Sequence, residues 1–396
     1  SQALTISNTA TADIYSERLN ASIAPTTGDA TASGSFNQLA AGGSDSSSLT
    51  VGINTSTAGA KSGTATISLE SDGDGINSLG QTALSGQTVN VSGNVYNLAS
   101  ASAAAPNPID FGNVREGGSA QQALTINNTA DAGAFSEALN ASFSGTTGNA
   151  TTNGGSIDGL AAGGSDSSSL VVGIDTSAAG AKSGSASLAL ESDGDGINSL
   201  GQTALTGQTV NVSGNVFRLA AASDHTPEPV NFGDRHVGDV VSQALTIQNT
   251  AAADGYSESL NASIAPTTGD ATASGSFNLL AAQASNSTNL VVGLNTGTAG
   301  AKSGTATISL ESDGTGTSGI AGNVALDSQT VNVSGTVYRL AEASAHTPEP
   351  VNFGNVHVGD ALSQALTISN TATADAFSER LNASIAPTTG DATASG

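Results

Sequence analysis

Apolar residues alternate with small polar residues along most of this chain. In one clear run, Leu170, Val172 and Ile174 occupy every second position. Successive side chains of a β-strand point to opposite faces, so this spacing predicts half-buried strands. No window of the sequence carries a sustained helical period. The pattern therefore predicts an all-β protein with short strands and turns rich in Gly, Asn and Ser.

The pattern recurs at a fixed distance. The sequence Gln-Ala-Leu-Thr-Ile begins at Gln2, Gln122, Gln243 and Gln364, which lie 120, 121 and 121 residues apart. A Phe-Gly pair precedes three of these starts, at Phe111, Phe232 and Phe353. We expect each of these rings to be buried between two sheets, with the glycine permitting a kink in the strand. A period of this length indicates a tandem array of domains.

Each period holds about seven predicted strands, the number typical of an immunoglobulin-like β-sandwich. The expected fold class is all-β, a rod-like tandem array of such domains. The expected domains are 1–103 (lacking its first strand), 104–223 and 224–344 (both complete), and 345–396 (the N-terminal part of a further repeat). Paired prolines favour an extended backbone, so residues 99–107, 220–229 and 341–350 are predicted to be stiff linkers.

Charge and composition exclude several functions. Acidic residues outnumber basic residues by 33 to 9, for a net charge of −24. This charge repels nucleic acid and anionic lipid surfaces and favours divalent cations. The chain contains no Cys and no Met, so it has no disulfides or thiol chemistry. No apolar run approaches the roughly 20 residues of a membrane span. We expect neither a nucleic-acid partner nor a membrane span in this stretch.

The repeated motifs carry a resemblance to a known family. In the second repeat the order is Phe111-Gly112, then Leu124-Thr125-Ile126, and finally Val210-Asn211-Val212-Ser213-Gly214. This order resembles the choice-of-anchor D domains of bacterial surface proteins, which are similar to the immunoglobulin-like domains of ASPM, hydin and PapD-type chaperones. The resemblance covers the complete repeats. It implies an exported array attached to the cell envelope, without catalysis.

Two loops resemble calcium-binding loops. Residues 70–78 and 191–199 share Glu-Ser-Asp-Gly-Asp-Gly, in which acidic side chains alternate and glycine follows. The candidate calcium ligands are Asp72, Asp74, Asp193 and Asp195. The twelfth position from Glu70 is Gln81 rather than an acidic residue, and the third copy has Thr315 in place of the second aspartate. An Asp-Gly turn without metal is the alternative. No other cofactor is expected.

Four histidines form two pairs with equal spacing. The pairs are eleven residues apart, at His225 and His236 and at His346 and His357. The two rings of a pair could approach one another across a domain junction and bind a metal ion. The second repeat has Ala104 and Arg115 at these places, which favours the alternative of exposed polar surface.

Recurring lysines and asparagines raise the question of covalent modification. The lysines lie in predicted Gly-flanked turns, at Lys61, Lys182 and Lys302. A Lys–Asn isopeptide crosslink needs a buried lysine, and a turn argues against it. Sequons for N-glycosylation recur at Asn20, Asn140, Asn261, Asn382, Asn90, Asn211 and Asn332. Their alternative explanation is duplication of a chain rich in Asn and Ser.

Nothing in the sequence indicates an enzyme. The serine-rich runs at residues 44–48 and 165–169 offer hydroxyl groups without a neighbouring base. We expect instead a structural extracellular protein, a stalk or filament of the bacterial cell surface or matrix. Residues 1–34 and 363–396 differ only at Ile14 against Ala376 and Tyr15 against Phe377, and such copying argues against a separate ligand site in each domain. The alternative is an adhesin that binds a glycan or protein receptor.

The first and last repeats are incomplete as sandwiches. An immunoglobulin-like sheet that lacks a strand exposes an unpaired edge. Either the polypeptide continues covalently into a longer fibre, or a neighbouring chain donates the missing strand by self-association. The tail duplicates the first 34 residues, which would be redundant in strand donation, so we expect covalent continuation.

Overall fold

The computed structural model of the protein describes residues 1–386 and 388–396. Within those ranges the chain forms strands, turns and bends, and no helix. The predicted all-β fold is confirmed. None of the described residues forms a helix long and apolar enough to cross a bilayer.

Strands follow the sequence repeat. The first repeat contains β1 (Gln2–Ser7), β2 (Arg18–Gly28), β3 (Ala30–Ser33), β4 (Ser35–Leu39), β5 (Ser44–Ile53), β6 (Gly59–Asp72) and β7 (Gln81–Val95). The second contains β8 (Ile109–Arg115), β9 (Gln121–Ala123), β10 (Ile126–Asn127), β11 (Ala138–Gly148), β12 (Ala150–Thr152), β13 (Ser156–Leu160), β14 (Ser165–Asp166), β15 (Val171–Ile174), β16 (Gly180–Asp193) and β17 (Gln202–Phe217). The third contains β18 (Val230–His236), β19 (Ser242–Gln248), β20 (Ser259–Gly269), β21 (Ala271–Ser274), β22 (Ser276–Leu280), β23 (Ser285–Leu294), β24 (Gly300–Asp313) and β25 (Val324–Tyr338).

The strands build immunoglobulin-like sandwiches of a larger and a smaller sheet. In the third repeat the sheet orders are β18-β25-β24-β20-β22 and β19-β23-β21. In the first repeat they are β4-β2-β6-β7 and β1-β5-β3, so its larger sheet ends at β7. The second repeat has the order β13-β11-β16-β17-β8, opposed by β12-β15-β9 and a β10-β14 pair. The predicted tandem β-sandwich architecture is confirmed.

The core of a sandwich lies between its two sheets. In the third repeat Leu260, Leu290 and Ile308, which come from both sheets, are no more than 1% exposed. In the first repeat the core residues come from β2, β5 and β6: Leu19, Ala21, Ile23, Leu49, Val51, Ala65, Ile67 and Leu69. The alternation that predicted burial of Leu170, Val172 and Ile174 is confirmed, since all three are buried.

The described chain divides into two compact units. One unit comprises Ser1–Phe111, Ala120–Asp175 and Lys182–Ser213, and the other comprises Gly112–Ser119, Thr176–Ala181 and Gly214–Gly396. The first unit holds the first sandwich, and the second unit holds the third sandwich and the segment after it. The domain limits read from the sequence remain a prediction.

The Phe-Gly strand has its expected kink. Phe232 on β18 is 8% exposed, and Gly233 follows with φ of 64°, which glycine adopts without steric cost. The pairing of β18 with β25 shifts register between Asn231 and Asp234. Phe111 on β8 is only half-buried, and burial was wrongly expected for Phe353, which is 45% exposed. The described residues after β25 pair through isolated bridges only, so no sheet covers that ring.

The segments predicted to be linkers belong to the sandwiches. Ala222 and Thr226 form antiparallel bridges with Asn249 and Thr246, and Ala220 is part of the third core. Equivalent bridges join Ala101 with Asn128, Ala105 with Thr125, Ala343 with Asn370 and Thr347 with Thr367. The linker prediction is wrong because the backbone N–H and C=O groups of these segments find partners on a neighbouring strand.

Candidate functional site: the junctions between successive repeats

The chain enters each new repeat through backbone hydrogen bonds. At the second junction, the Arg218 amide donates to the Tyr256 carbonyl at 2.9 Å, and the Glu258 amide donates to the Arg218 carbonyl at 3.0 Å. The first junction repeats this with Asn97, Phe135 and Glu137, and the third with Arg339, Phe377 and Glu379. A residue bonded on both sides is not a free hinge. Each junction is therefore a continuation of the β-structure.

An aromatic pair lies at each junction. The ring centroids of Phe217 and Tyr256 are 5.5 Å apart, and the rings are inclined at 50°. The other two pairs are Tyr96 with Phe135 at 5.4 Å and Tyr338 with Phe377 at 6.1 Å. Such tilted pairs contribute about 0.5–1.5 kcal/mol beyond the area they bury. These pairs were not predicted from the sequence, although all six residues recur at the repeat spacing.

Two junctions also carry an ion pair. Arg218 donates from Nη1 to Asp254 Oδ2 at 2.6 Å and to Ser257 Oγ at 3.0 Å. Arg339 makes the same bonds to Asp375 and Ser378. The Arg218 guanidinium, together with the Tyr256 amide, lowers the pKa of Asp254. At the first junction, Asn97 replaces the arginine and donates to Ser136 Oγ at 3.3 Å. These half-exposed pairs contribute about 1 kcal/mol or less.

At the first and second junctions, a buried glutamate connects the junction to the acidic loop of the same repeat. Glu137 is 1% exposed and accepts hydrogen bonds from Ser192 Oγ at 2.6 Å and Asn198 Nδ2 at 2.9 Å. Ser192 Oγ also accepts the amide of Ala99, which enters from the preceding repeat. Burying a carboxylate is costly unless its oxygens are satisfied. The acidic loop therefore supports the junction by satisfying this glutamate.

In the third repeat the buried glutamate also meets a cation from the second repeat. Glu258 is 0% exposed, and Arg115 Nε donates to its Oε1 at 2.9 Å. Arg115 Nη2 donates to the Gly322 carbonyl, and Asn113 Nδ2 donates to the Ser318 carbonyl, both at 2.7 Å. The third copy of the acidic loop, which has Thr315 in place of the second aspartate, thus contacts the end of the preceding Phe-Gly strand.

The first aspartate of each candidate calcium loop is surrounded by donors. Asp72 Oδ1 accepts the Asp74 amide at 2.9 Å, and its Oδ2 accepts Nδ2 of Asn20 at 2.7 Å and Nε2 of Gln38 at 2.5 Å. The Asp74 amide, followed by Asn20, lowers the pKa of Asp72. Asp193 accepts the Asp195 amide and Asn140 Nδ2 in the same way, and it also accepts Nε2 of Gln202, the equivalent of Gln81.

The second aspartates of these loops, Asp74 and Asp195, are exposed. Among the described residues, no three His, Cys, Asp or Glu side chains are grouped to hold a metal ion. Calcium binding at these loops stays a prediction. Asp72 and Asp193 stabilise the turn of their loops by accepting the backbone amides of Asp74 and Asp195.

Sequon asparagines fall into two classes. Asn20 and Asn261 are buried, and their Nδ2 atoms donate to Asp72 and Asp313. The equivalent Asn140 donates to Asp193 in the same way. An amide nitrogen committed to a carboxylate is not available to a glycan. Asn90 and Asn211 form the other class and lie exposed on the long last strands. Asn332 is also exposed there, but its Nδ2 donates to Glu228 Oε1 at 2.6 Å.

The paired histidines do not meet. His225 is 7% exposed, and its ring contacts Gln329 and Glu228 at 2.9 Å each. His236 Nε2 lies 2.7 Å from Glu379 Oε1 at the third junction. The exposed-surface alternative is confirmed for His236, His346 and His357. It is wrong for His225, because the segment predicted to be a linker is part of the sandwich.

The recurring lysines are buried on strands, which corrects the predicted turn. Lys61, Lys182 and Lys302 are 8–9% exposed. Lys302 Nζ lies 3.1 Å from Asp270 Oδ1 and 2.8 Å from Thr298 Oγ1. Lys61 has the same contacts with Asp29 and Thr57. The glycine before each lysine begins a long strand instead of a turn.

Comparison with known proteins gives structural neighbours but no sequence relative. No family model matches the chain, and no curated protein sequence matches it. Similar solved structures include mouse protocadherin-24 EC1-3, at 11% identity and TM-score 0.34, covering 80% of this chain and 90% of that chain. The human desmocollin-1 ectodomain is 8% identical with TM-score 0.27, and the match covers 82% of this chain and 54% of that chain. The chicken CNTN1 FN1-FN3 domains are 10% identical with TM-score 0.19, and the match covers 80% of this chain and 89% of that chain. No residue role is transferred from them.

Proposed function

We propose that this chain is a structural extracellular protein, a repetitive stalk or filament of the bacterial cell surface or matrix. The observation that carries the proposal is the junction built from Phe217, Tyr256, Arg218 and Glu258 and repeated before and after it. A protein that transmits load or spans a distance needs successive domains held in a fixed relation. The proposed role involves no catalysis.

The proposal includes membership of the choice-of-anchor D type of surface repeat. It is supported by the Phe-Gly motif, in which Gly112, Gly233 and Gly354 share φ of 63–64°. The net charge of −24 is compatible with an exposed, soluble surface.

Immunogold electron microscopy of intact source cells tests the function. Antibody against the purified chain should label filaments or the outer surface without permeabilisation. Labelling that requires permeabilised cells would contradict the proposal. Saturable binding of the chain to one glycan on an array would support the alternative role as an adhesin.

A further inference from the structure

We propose that His225 and Glu228 form a pH-operated latch on the segment that enters the third repeat. With a proton on both ring nitrogens, His225 joins this segment to β25 and to Glu228. When the ring loses one proton, one of these bonds is lost and the segment loosens. The third repeat is thus held more firmly in neutral or acidic surroundings than in alkaline ones.

Gln329 on β25 fixes the role of one ring nitrogen. Its Nε2 donates to the Ser223 carbonyl at 2.8 Å, and its Oε1 accepts the His225 amide at 2.9 Å, so the orientation of the side-chain amide is determined. The same Oε1 lies 2.9 Å from His225 Nδ1. A carboxamide oxygen accepts hydrogen bonds and has no proton to donate. His225 Nδ1 therefore carries a proton.

Glu228 fixes the role of the other ring nitrogen. Its Oε2 lies 2.9 Å from His225 Nε2 and accepts the Asn332 amide at 3.0 Å, and its Oε1 accepts Asn332 Nδ2 at 2.6 Å. Partial burial raises the pKa of Glu228, but the bonds from Asn332 and His225 outweigh this effect and lower the pKa. An ionised carboxylate only accepts hydrogen bonds. His225 Nε2 therefore also carries a proton, and the ring is an imidazolium.

Glu228 is the anion that compensates this buried cation. His225 is 7% exposed. The strand β25 contacts the ring through Gln329, and the one charged residue of β25, Asp327, is exposed. The strand β19, which bridges the same segment, has no charged residue. Asp224 precedes His225 in the sequence and is exposed. The charge on the ring is therefore held by its contact with Glu228.

The second repeat holds the equivalent segment without a titratable group. Ala104 and Asn107 stand at the two latch positions. The Ala104 amide donates to Gln208 Oε1 at 2.7 Å, and Asn107 Oδ1 accepts the Asn211 amide at 3.0 Å. The third repeat makes the same two backbone bonds. The ionic contact is thus added to a shared arrangement by a paired replacement.

The pH dependence has a definite sign. A histidine in an unfolded chain loses its proton at about pH 6.5, whereas the folded segment needs this proton for its second side-chain bond. The stability that the latch contributes is therefore fully present below about pH 6.5 and is lost as the pH rises through alkaline values.

Hydrogen exchange in the 396-residue chain tests the latch. The amides of Thr226 and Thr246 donate to each other's carbonyls, and Ala105 and Thr125 make the same pair in the second repeat. The ratio of protection in the two pairs removes the direct effect of pH on exchange. From about pH 5.5 to about pH 9, this ratio should fall at least about tenfold, because a hydrogen bond to a charged group is lost in the third repeat only.

A double replacement provides the matched control. His225→Ala with Glu228→Asn gives the third repeat the combination with which the second repeat already folds, and it should make the ratio independent of pH. In the reverse direction, Ala104→His with Asn107→Glu should confer the pH dependence on the second repeat.

Three outcomes would overturn the inference. The first is a ratio that does not change with pH in the unaltered chain, and the second is a pH dependence that survives the double replacement in the third repeat. The third is a His225 ring that carries a single proton at about pH 5.5, where a free imidazole is already mostly charged, as nitrogen NMR of the labelled ring would show.

Discussion

Arg115 Nε donates to Oε1 of the fully buried Glu258 at 2.9 Å, although the two residues are 143 positions apart and belong to successive repeats. The pair joins the end of the Phe-Gly strand of one repeat to the entry point of the next. Ser312 and Ser318 donate to the same carboxylate, so its charge is compensated on several sides. This is the most enclosed ionic contact described at any junction.

Removing the cation should destabilise the second junction. Arg115→Ala leaves the Glu258 carboxylate buried with hydroxyl donors only, and loss of one partner of a buried pair costs about 3 kcal/mol. Thermal unfolding should show a lower midpoint. Adding Glu258→Gln should recover part of the loss, because the uncompensated charge is then gone. Arg235→Ala, at an exposed arginine, is the control and should have little effect.

The Phe-Gly strand offers a matched pair of substitutions. Phe232→Ala should cost about 3–5 kcal/mol of unfolding free energy, because the ring is buried in the third core. Phe353→Ala removes the equivalent ring at a site that is 45% exposed and should be nearly silent. Denaturant titration of the two variants checks this. Equal losses would contradict the placement of Phe232.

Part of this architecture was predictable from the sequence. The alternation of apolar and polar residues predicted that Leu170 and Val172 are in the core, because which face of a strand is buried can be inferred from neighbouring residues alone. The packing of Phe217 against Tyr256 was not predictable in this way, because it joins two repeats and no local pattern reports it. The burial of Lys302 was missed because its partner Asp270 lies far away in the sequence, in the turn between β20 and β21. The linker prediction failed because the bridging partners of those segments are also distant in the sequence.

Acid should destabilise the loops that contain Asp72 and Asp193. Amide donors lower the pKa of both carboxyl groups in the folded state. A carboxyl group with a depressed folded pKa contributes stability above its unfolded pKa, about 3.9, and loses it as pH falls through the folded pKa. Stability should therefore decline below about pH 4. Asp72→Asn should flatten this decline, as measured by unfolding midpoints between pH 2 and pH 6. An unchanged slope would contradict the assignment.

Chelation distinguishes between a calcium-binding loop and an Asp-Gly turn without metal. Because Asp72 and Asp193 are satisfied by protein donors, we expect EDTA to leave the unfolding midpoint unchanged. A fall confined to the first two repeats, with the third repeat and its Thr315 unaffected, would instead support calcium. Differential scanning calorimetry with and without EDTA makes the comparison.

Each junction is part of the β-structure, and native-state hydrogen exchange at the Arg218 and Glu258 amides can show this, because these two groups donate the bonds that close the second junction. We expect both amides to be protected as well as the β25 amides, and less protected in Phe217→Ala. If both amides exchange at the rate of an unstructured peptide while β25 stays protected, the junction is a flexible connection and not part of the β-structure.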